Sequence, residues 1–346
     1  MNLGALKYLS VLSLPVLAYF SFHSTGWLTF LPLLEAFMII PVLELFFKPN
    51  PDNFSEVEEQ KRLENPIYDL LVYLVVPIQL VCVWWFLESM TQPVELLTRV
   101  GRITAMGMLC GVMGINVAHE LGHRKRKYEQ QMSKLLLLTS LYMHFFIEHN
   151  RGHHKHVSTA EDPSSARLGE SLYAFWIRSV VQSYLSAWKL EAGRLRKKGQ
   201  RTLSIHNEML RFQVIQLTFL FVIGYVYGWT VMLYYVLAAI MGFLLLETVN
   251  YIEHYGLSRN KTERGYERVM PAHSWNSDHL VGRIMLFELS RHSDHHYIAS
   301  RKYQVLRHMD GSPQMPTGYP GMMLMATVPP LWFYVMDRKI GVDCND

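Results

Sequence analysis

The chain has 346 residues, half of them apolar and 13% aromatic, with only 18% charged, below the roughly 25% of ordinary globular domains. That balance excludes a disordered chain and a secreted disulfide scaffold, and a net charge of +4 is too modest to suggest a nucleic-acid partner. The three cysteines, Cys82, Cys110 and Cys344, are far apart and form no CxxC pair, so they build neither a zinc knuckle nor a rubredoxin-type iron site.

Apolar runs over 5–22, 27–47, 70–87 and 103–118 each approach the ~20 residues of a bilayer-spanning helix. The first has one positive charge ahead of it and no small-residue cleavage site behind it, so it is expected to stay as a span rather than leave as a signal peptide. The fourth run closes on His119-Glu-Leu-Gly-His123. The stretch Leu135–Ile147 that follows is apolar but too short to span, and is expected to be a helix buried in the protein or lying at the interface. It leads into Glu148-His149-Asn-Arg-Gly-His153-His154. Runs over 212–227 and 229–248, parted only by Gly228, predict a tight helical hairpin that closes on Asn250-Tyr-Ile-Glu253-His254. Arg291-His292-Ser-Asp294-His295-His296 comes last, before a run over 322–336 that Pro329-Pro330 interrupts and that is not counted as a span.

Sixteen of the 33 Lys and Arg residues lie in 124–211 and eleven from Arg259 onward, while 23–26, 88–98 and 228–229 carry none. Positive charge accumulates on cytoplasmic loops, which places these basic segments and the N-terminus inside. The expected fold is an all-α integral membrane protein of six transmembrane helices with a cytoplasmic helical cap (119–211 and 249–346), one catalytic domain over 1–346 in the inner, cytoplasmic membrane. The basic run Arg194–Lys198 suits an acidic electron carrier or inner-leaflet lipid, with lipid the preferred reading.

Nine of the 16 histidines fall in the four groups: His119, His123, His149, His153, His154, His254, His292, His295 and His296. His119 and His123 stand four apart, as do His149 and His153, and His292 is three and four residues before His295 and His296, spacings that share a helical face. Imidazole suits Zn, Cu, Fe and Ni. A catalytic zinc takes about three protein ligands and a structural one about four, so nine are too many for one ion and about right for two. Read as a zinc-protease HExxH with Glu120 as general base, His119–His123 would leave seven histidines unexplained. A metal transporter would carry its ligands near the membrane midplane, whereas these sit at span ends and in the cap. Metal-binding histidines normally donate their second N–H to a carboxylate or carbonyl, and Glu120, Glu148, Asp162, Glu253 and Asp294 are the candidates for that role or for bridging. The seven other histidines, His23, His144, His156, His206, His273, His279 and His308, are not expected to bind metal.

At these residues the sequence resembles the integral-membrane alkane 1-monooxygenases, within the wider membrane di-iron group of fatty-acid desaturases and hydroxylases. His119–His123, Glu148–His154, Asn250–Gly256 and Leu289–His296 carry the likeness, with His273-Ser-Trp-Asn-Ser277 and Pro316-Thr-Gly-Tyr-Pro320. It is strongest over 116–321. The resemblance implies that the nine histidines ligate two non-haem irons, and that O2 and two electrons hydroxylate the terminal methyl of a medium- to long-chain n-alkane drawn from the bilayer. It implies electrons from rubredoxin, fed by an NAD(P)H-dependent reductase. The sequence ends at Asp346 without a CxxC pair, so a separate rubredoxin is expected. A fatty-acyl lipid or an alkyl aromatic is the alternative substrate.

Overall fold

The computed structural model describes residues 3–263 and 265–343; Cys344 lies outside them. Six helices are long and apolar enough to cross a membrane: Gly4–His23, Gly26–Glu44, Pro66–Ser89, Leu96–Gly122, Glu208–Tyr227 and Trp229–His254. They coincide with the six expected runs. The fourth and sixth extend past them, so His119 and His254 occupy the last turns of their spans. No proline interrupts either extension, and the sixth stops where Gly256 turns into the left-handed region at φ +72°, a common helix terminator. Lys261–Thr262 and Gly265–Tyr266 form a two-residue antiparallel ribbon, and Asn276 makes an isolated parallel bridge with Gln314.

The chain divides into two compact units, Met1–Ala36 with Asp69–Arg151 and Tyr184–Leu246, and Phe37–Tyr68 with Gly152–Ser183 and Glu247–Asp346. In the first unit the glycines of the fourth span serve close packing rather than a channel. A side chain on Gly107 would meet Met241 at 2.7–2.8 Å, and one on Gly242 would overlap Cys110 and press on the backbone of Gly111. Gly242→Val is therefore expected to lower stability by about 1–3 kcal/mol, the usual cost of overpacking. The check is the thermal unfolding midpoint in detergent. Gly193→Ala, where an added methyl meets nothing within 4 Å, should hold or gain stability.

The stretch Leu135–Ile147 is buried as expected but is not one helix. Lys127–Thr139 supplies its start, the chain turns over 140–144, and Phe145–Glu148 forms a separate turn of helix. Leu141 takes φ +52°, with its N–H on Leu138 O (3.1 Å) and the next N–H, of Tyr142, on Leu137 O (3.0 Å). That is the paired 5→2 and 6→1 bonding of a Schellman cap, made here by leucine in place of glycine. Gln216 accepts the Met143 N–H at 3.0 Å and holds the turn.

Helix Leu172–Lys197 is tied to the start of the fifth span through Glu191. That fully buried carboxylate accepts from Arg194 (2.6 Å), Arg151 (3.0 Å) and the backbone N–H of Glu208 (2.8 Å). Burial opposes ionisation, yet the donors of Arg194, Glu208 and Arg151 outweigh it and lower the Glu191 pKa from about 4.5 to about 2. A carboxyl depressed in the folded state adds stability above its unfolded pKa, and that stability is lost as pH falls through the folded value. Unfolding free energy should thus drop between about pH 4.5 and pH 2, and the Glu191→Gln protein should lack this component when denaturation is followed across that window.

In the second unit, Glu44 accepts the Gly282 N–H at 2.9 Å, and its carboxylate fills the space a side chain on Gly318 would need. The interrupted run near the C-terminus forms two helices, Tyr319–Ala326 and Pro329–Asp343, the second opening on proline, whose fixed φ suits a first helical turn.

Candidate metal centre

The first unit gathers three of the nine histidines. His119 and His123 share a face of the fourth span as their spacing predicts, with ring centroids 4.9 Å apart, and His149 lies 4.5 Å and 5.0 Å from them. The ring nitrogens Nε2 of His123 and His149 approach to 3.0 Å. Phe145 stacks on His149 at 4.6 Å and closes one side to water.

The second unit gathers the other six. His153, His254, His292 and His296 are all buried and bring one nitrogen each within 4.8 Å of every other. The closest pairs are His153–His296 and His254–His292, each with Nε2 atoms 3.2 Å apart. His154 and His295 meet through Nε2 at 3.1 Å, and His154 stacks on His296 with centroids 4.5 Å apart.

His149 and His153 join different groups although they stand four residues apart. Residues His149–His153 wind as a π-helix, in which bonding runs i to i+5. His149 joins His119 and His123, while His153 joins the histidines of the second unit.

The donor set fits metal ions. Nitrogens at about 2.0–2.1 Å from a metal stand about 2.9 Å apart at right angles and about 3.4 Å apart at a tetrahedral angle. The observed 3.0–3.2 Å separations fall between. Burial, reinforced by crowding with His292, His154, His153 and His254, pushes His296 well below its ordinary pKa, which keeps it in the neutral form a metal needs.

The carboxylates differ in their surroundings. Asp162 Oδ2 is 2.9 Å from His153 Nδ1 and accepts from Ser165 at 2.6 Å, so His153 is left with Nε2 directed at His296. Burial raises the Asp162 pKa, but His153 and Ser165 outweigh it and hold the carboxyl below its ordinary value. Glu253 faces the ring nitrogens themselves, with Oε2 3.1 Å from His292 Nε2, and Tyr319 donates to its other oxygen at 2.7 Å. Asp294 accepts the Arg307 N–H at 2.9 Å and pairs with Arg301 at 3.2 Å. Glu148 is buried with Ser186 3.4 Å away. Glu120 forms a 2.8 Å salt bridge with Arg124, which also pairs with Asp69 and Glu129, an arrangement that does not suit a free general base. Of the histidines outside the groups, His308 pairs with Asp278 at 2.6 Å and His156 with Glu161 at 2.9 Å.

Asp162→Asn keeps the shape but offers His153 a weaker acceptor. Metal affinity should fall by about 10–100-fold, the usual effect of losing such a partner. Rates of metal loss to a chelator would measure it; an unchanged rate would remove Asp162 from the supporting role.

Two features escaped the sequence. Tyr319 lies in the family-like segment Pro316–Pro320, where nothing in the sequence marks its role. Arg291 adjoins His292 and is fully buried, donating to the backbone oxygens of Leu306, Asn50 and Asp52 at 2.8–3.1 Å. Only the position of Arg291 inside a histidine group marked it.

Residues 98–324 match the fatty acid desaturase family. The chain is 42% identical over 340 residues to alkane 1-monooxygenase 2 of Pseudomonas aeruginosa, covering 96% of this chain and 90% of that protein. It is 43% identical to alkane 1-monooxygenase 1 of the same organism, covering 96% and 88%. It is 39% identical to the alkane 1-monooxygenase of Ectopseudomonas oleovorans, covering 98% and 88%.

Proposed function

The chain belongs to the alkane 1-monooxygenase family, a membrane branch of the fatty acid desaturases, and on that premise we propose that it hydroxylates the terminal methyl of medium- to long-chain n-alkanes. The reaction would consume O2 and two electrons from a separate rubredoxin and its NAD(P)H-dependent reductase, at the cytoplasmic face of the inner membrane. The observation that carries this reading is the convergence of buried imidazole nitrogens in a chain of six apolar spans. His153, His254, His292 and His296 would hold one iron. Together the nine histidines would ligate two irons.

Iron would supply the oxidising power that acid–base side chains lack against an unactivated C–H bond. The protein's part is orientation and exclusion. Asp162 fixes the His153 ring, Tyr319 fixes the Glu253 carboxylate, and anionic carboxylates offset charge that neutral imidazoles leave uncompensated. An alkane offers no polar handle, so recognition rests on shape and on burial worth about 0.8 kcal/mol per CH2.

Purified, iron-loaded protein should be given reduced rubredoxin with its reductase, O2 and a mixture of alkanes, with products read by mass spectrometry. Primary alcohols that vanish when rubredoxin or O2 is omitted are the expected result. Oxidation of acyl lipids or alkyl aromatics with no alcohol from any alkane would overturn the substrate assignment.

A further inference from the structure

Helix Leu172–Lys197 is not one of the six spans, yet its polarity is inverted relative to a water-facing helix. Its inward face buries Phe175, Ser179, Ser183, Ala187 and Glu191, three of them polar. Its outward face presents Ile177, Val181 and Leu185, 73%, 53% and 49% exposed, with the half-exposed ring of Tyr173 one turn before them. Spaced by four residues, these side chains cover about 120° of the helix circumference, the width of an apolar face that normally turns to a core. Tyr173 donates to the backbone of Thr327 at 2.7 Å, beside the exposed Leu324, Val328 and Leu331, so the apolar surface continues onto the two C-terminal helices.

The same helix changes character at its C-terminal end. A cleft of about 430 Å³ is lined by Ser186, Lys189, Leu190, Gly193, Arg194 and Lys197. Gly193 leaves its floor open, with nothing within 4 Å of an added methyl. Arg196 and Lys198 stand exposed beside it. An apolar stripe that runs into a cationic end matches the layering of a membrane interface, acyl chains below and phosphate above. The ties of Glu191 and Arg151 to Glu208 hold this end of the helix where the fifth span begins. Water would leave the stripe unmatched, and a soluble acidic protein would complement the lysines but not the run Ile177–Leu185.

We propose that the 172–197 helix lies in the plane of an anionic bilayer surface, its Tyr173–Leu185 face among acyl chains and its Lys189–Lys197 cleft on a phospholipid phosphate. The surface is independent of the alkane assignment, because none of the nine histidines lines the cleft.

The test uses the full chain in nanodiscs of phosphatidylcholine alone or with one third phosphatidylglycerol. Cys82 and Cys110 are buried, so in a Cys344→Ser background a bimane label goes to Val181→Cys and, as an independent probe, Ile177→Cys. Quenching by brominated phospholipid should exceed quenching by aqueous iodide at least twofold at both positions. Native mass spectrometry should show phosphatidylglycerol retained over phosphatidylcholine, with that preference lost in the Lys189→Glu/Lys197→Glu protein. Free iodide access with no quenching by brominated lipid would overturn the proposal. So would protection from iodide that comes only on adding rubredoxin, which would make the face a protein-docking surface. Lipid retention indifferent to headgroup charge or to the double charge reversal would overturn the phosphate cleft. Iron content and alkane turnover, followed in the same samples, report on the hydroxylase reading separately.

Discussion

Replacing His292 by alanine is expected to strip about one iron per chain and to reduce alkane turnover by more than about 100-fold. His292 Nε2 lies 3.2 Å from His254 Nε2 and 3.1 Å from Glu253 Oε2, and its ring centroid is 4.4 Å from that of His296. No other imidazole occupies that corner of the four-histidine group, and alanine leaves a buried donor set one ligand short. Losing a mere hydrogen-bonding partner of a ligand costs about 10–100-fold, so losing the ligand should exceed that range. Iron is counted by elemental analysis and turnover by alcohol production. His206→Ala, an exposed histidine outside all four groups, should keep both at the level of the unaltered protein. Full iron content in the His292→Ala protein would remove His292 from the ligand set.

The second large effect is expected at Arg291. Its guanidinium lies 1% exposed and serves Leu306 O, Asn50 O and Asp52 O, with Asp278 Oδ1 at 3.3 Å. It therefore fastens the 50–53 segment and residue 306 to the turn that presents His292. Alanine would take a donor from the buried Leu306 carbonyl and from the part-buried Asn50 and Asp52 carbonyls, and one of its cations from Asp278, a change expected to cost about 1–3 kcal/mol. Arg291→Lys keeps the charge but cannot reproduce the planar fork, so its loss should be intermediate. Thermal unfolding in detergent measures the first effect. A parallel fall in iron retention is expected, because His292 follows Arg291 directly in the chain. If Arg291→Ala unfolded at the same midpoint as the unaltered protein, the keystone role would be lost.

Much of the architecture was legible from local patterns. A span must satisfy its own backbone hydrogen bonds and be apolar over about 20 residues, and both conditions are written in contiguous sequence. The six expected runs and the single-residue Gly228 turn accordingly reappear at Gly4–His254. His119 and His123 also met as expected, since an α-helix converts a four-residue spacing directly into a shared face.

Other features follow from pairings that no local pattern encodes. The expected 135–147 helix breaks at Leu141, where Gln216, more than 70 residues away, helps hold the turn. Nothing in the sequence around Arg124, Arg151 or Arg194 marks an ion pair, yet each pairs with acids distant in the chain or on the next turn. Ile177, Val181 and Leu185 of the 172–197 helix would be assigned to a core by their spacing alone, and burial shows them facing out.

What the sequence by itself determined was the set of elements and the chemistry they carry: six spans, and nine imidazoles placed on short segments at span ends and in the cap. It could do so because membrane insertion and helical side-chain spacing are properties of neighbouring residues. What only the tertiary structure decided was the partition of those imidazoles, in which His149 and His153 go to different groups. The tertiary structure also decided which carboxylate supports a ring, which faces the ring nitrogens and which is taken up by arginine. Those choices depend on the distances between segments far apart in the chain, which are set by packing and by the need to satisfy each buried polar group.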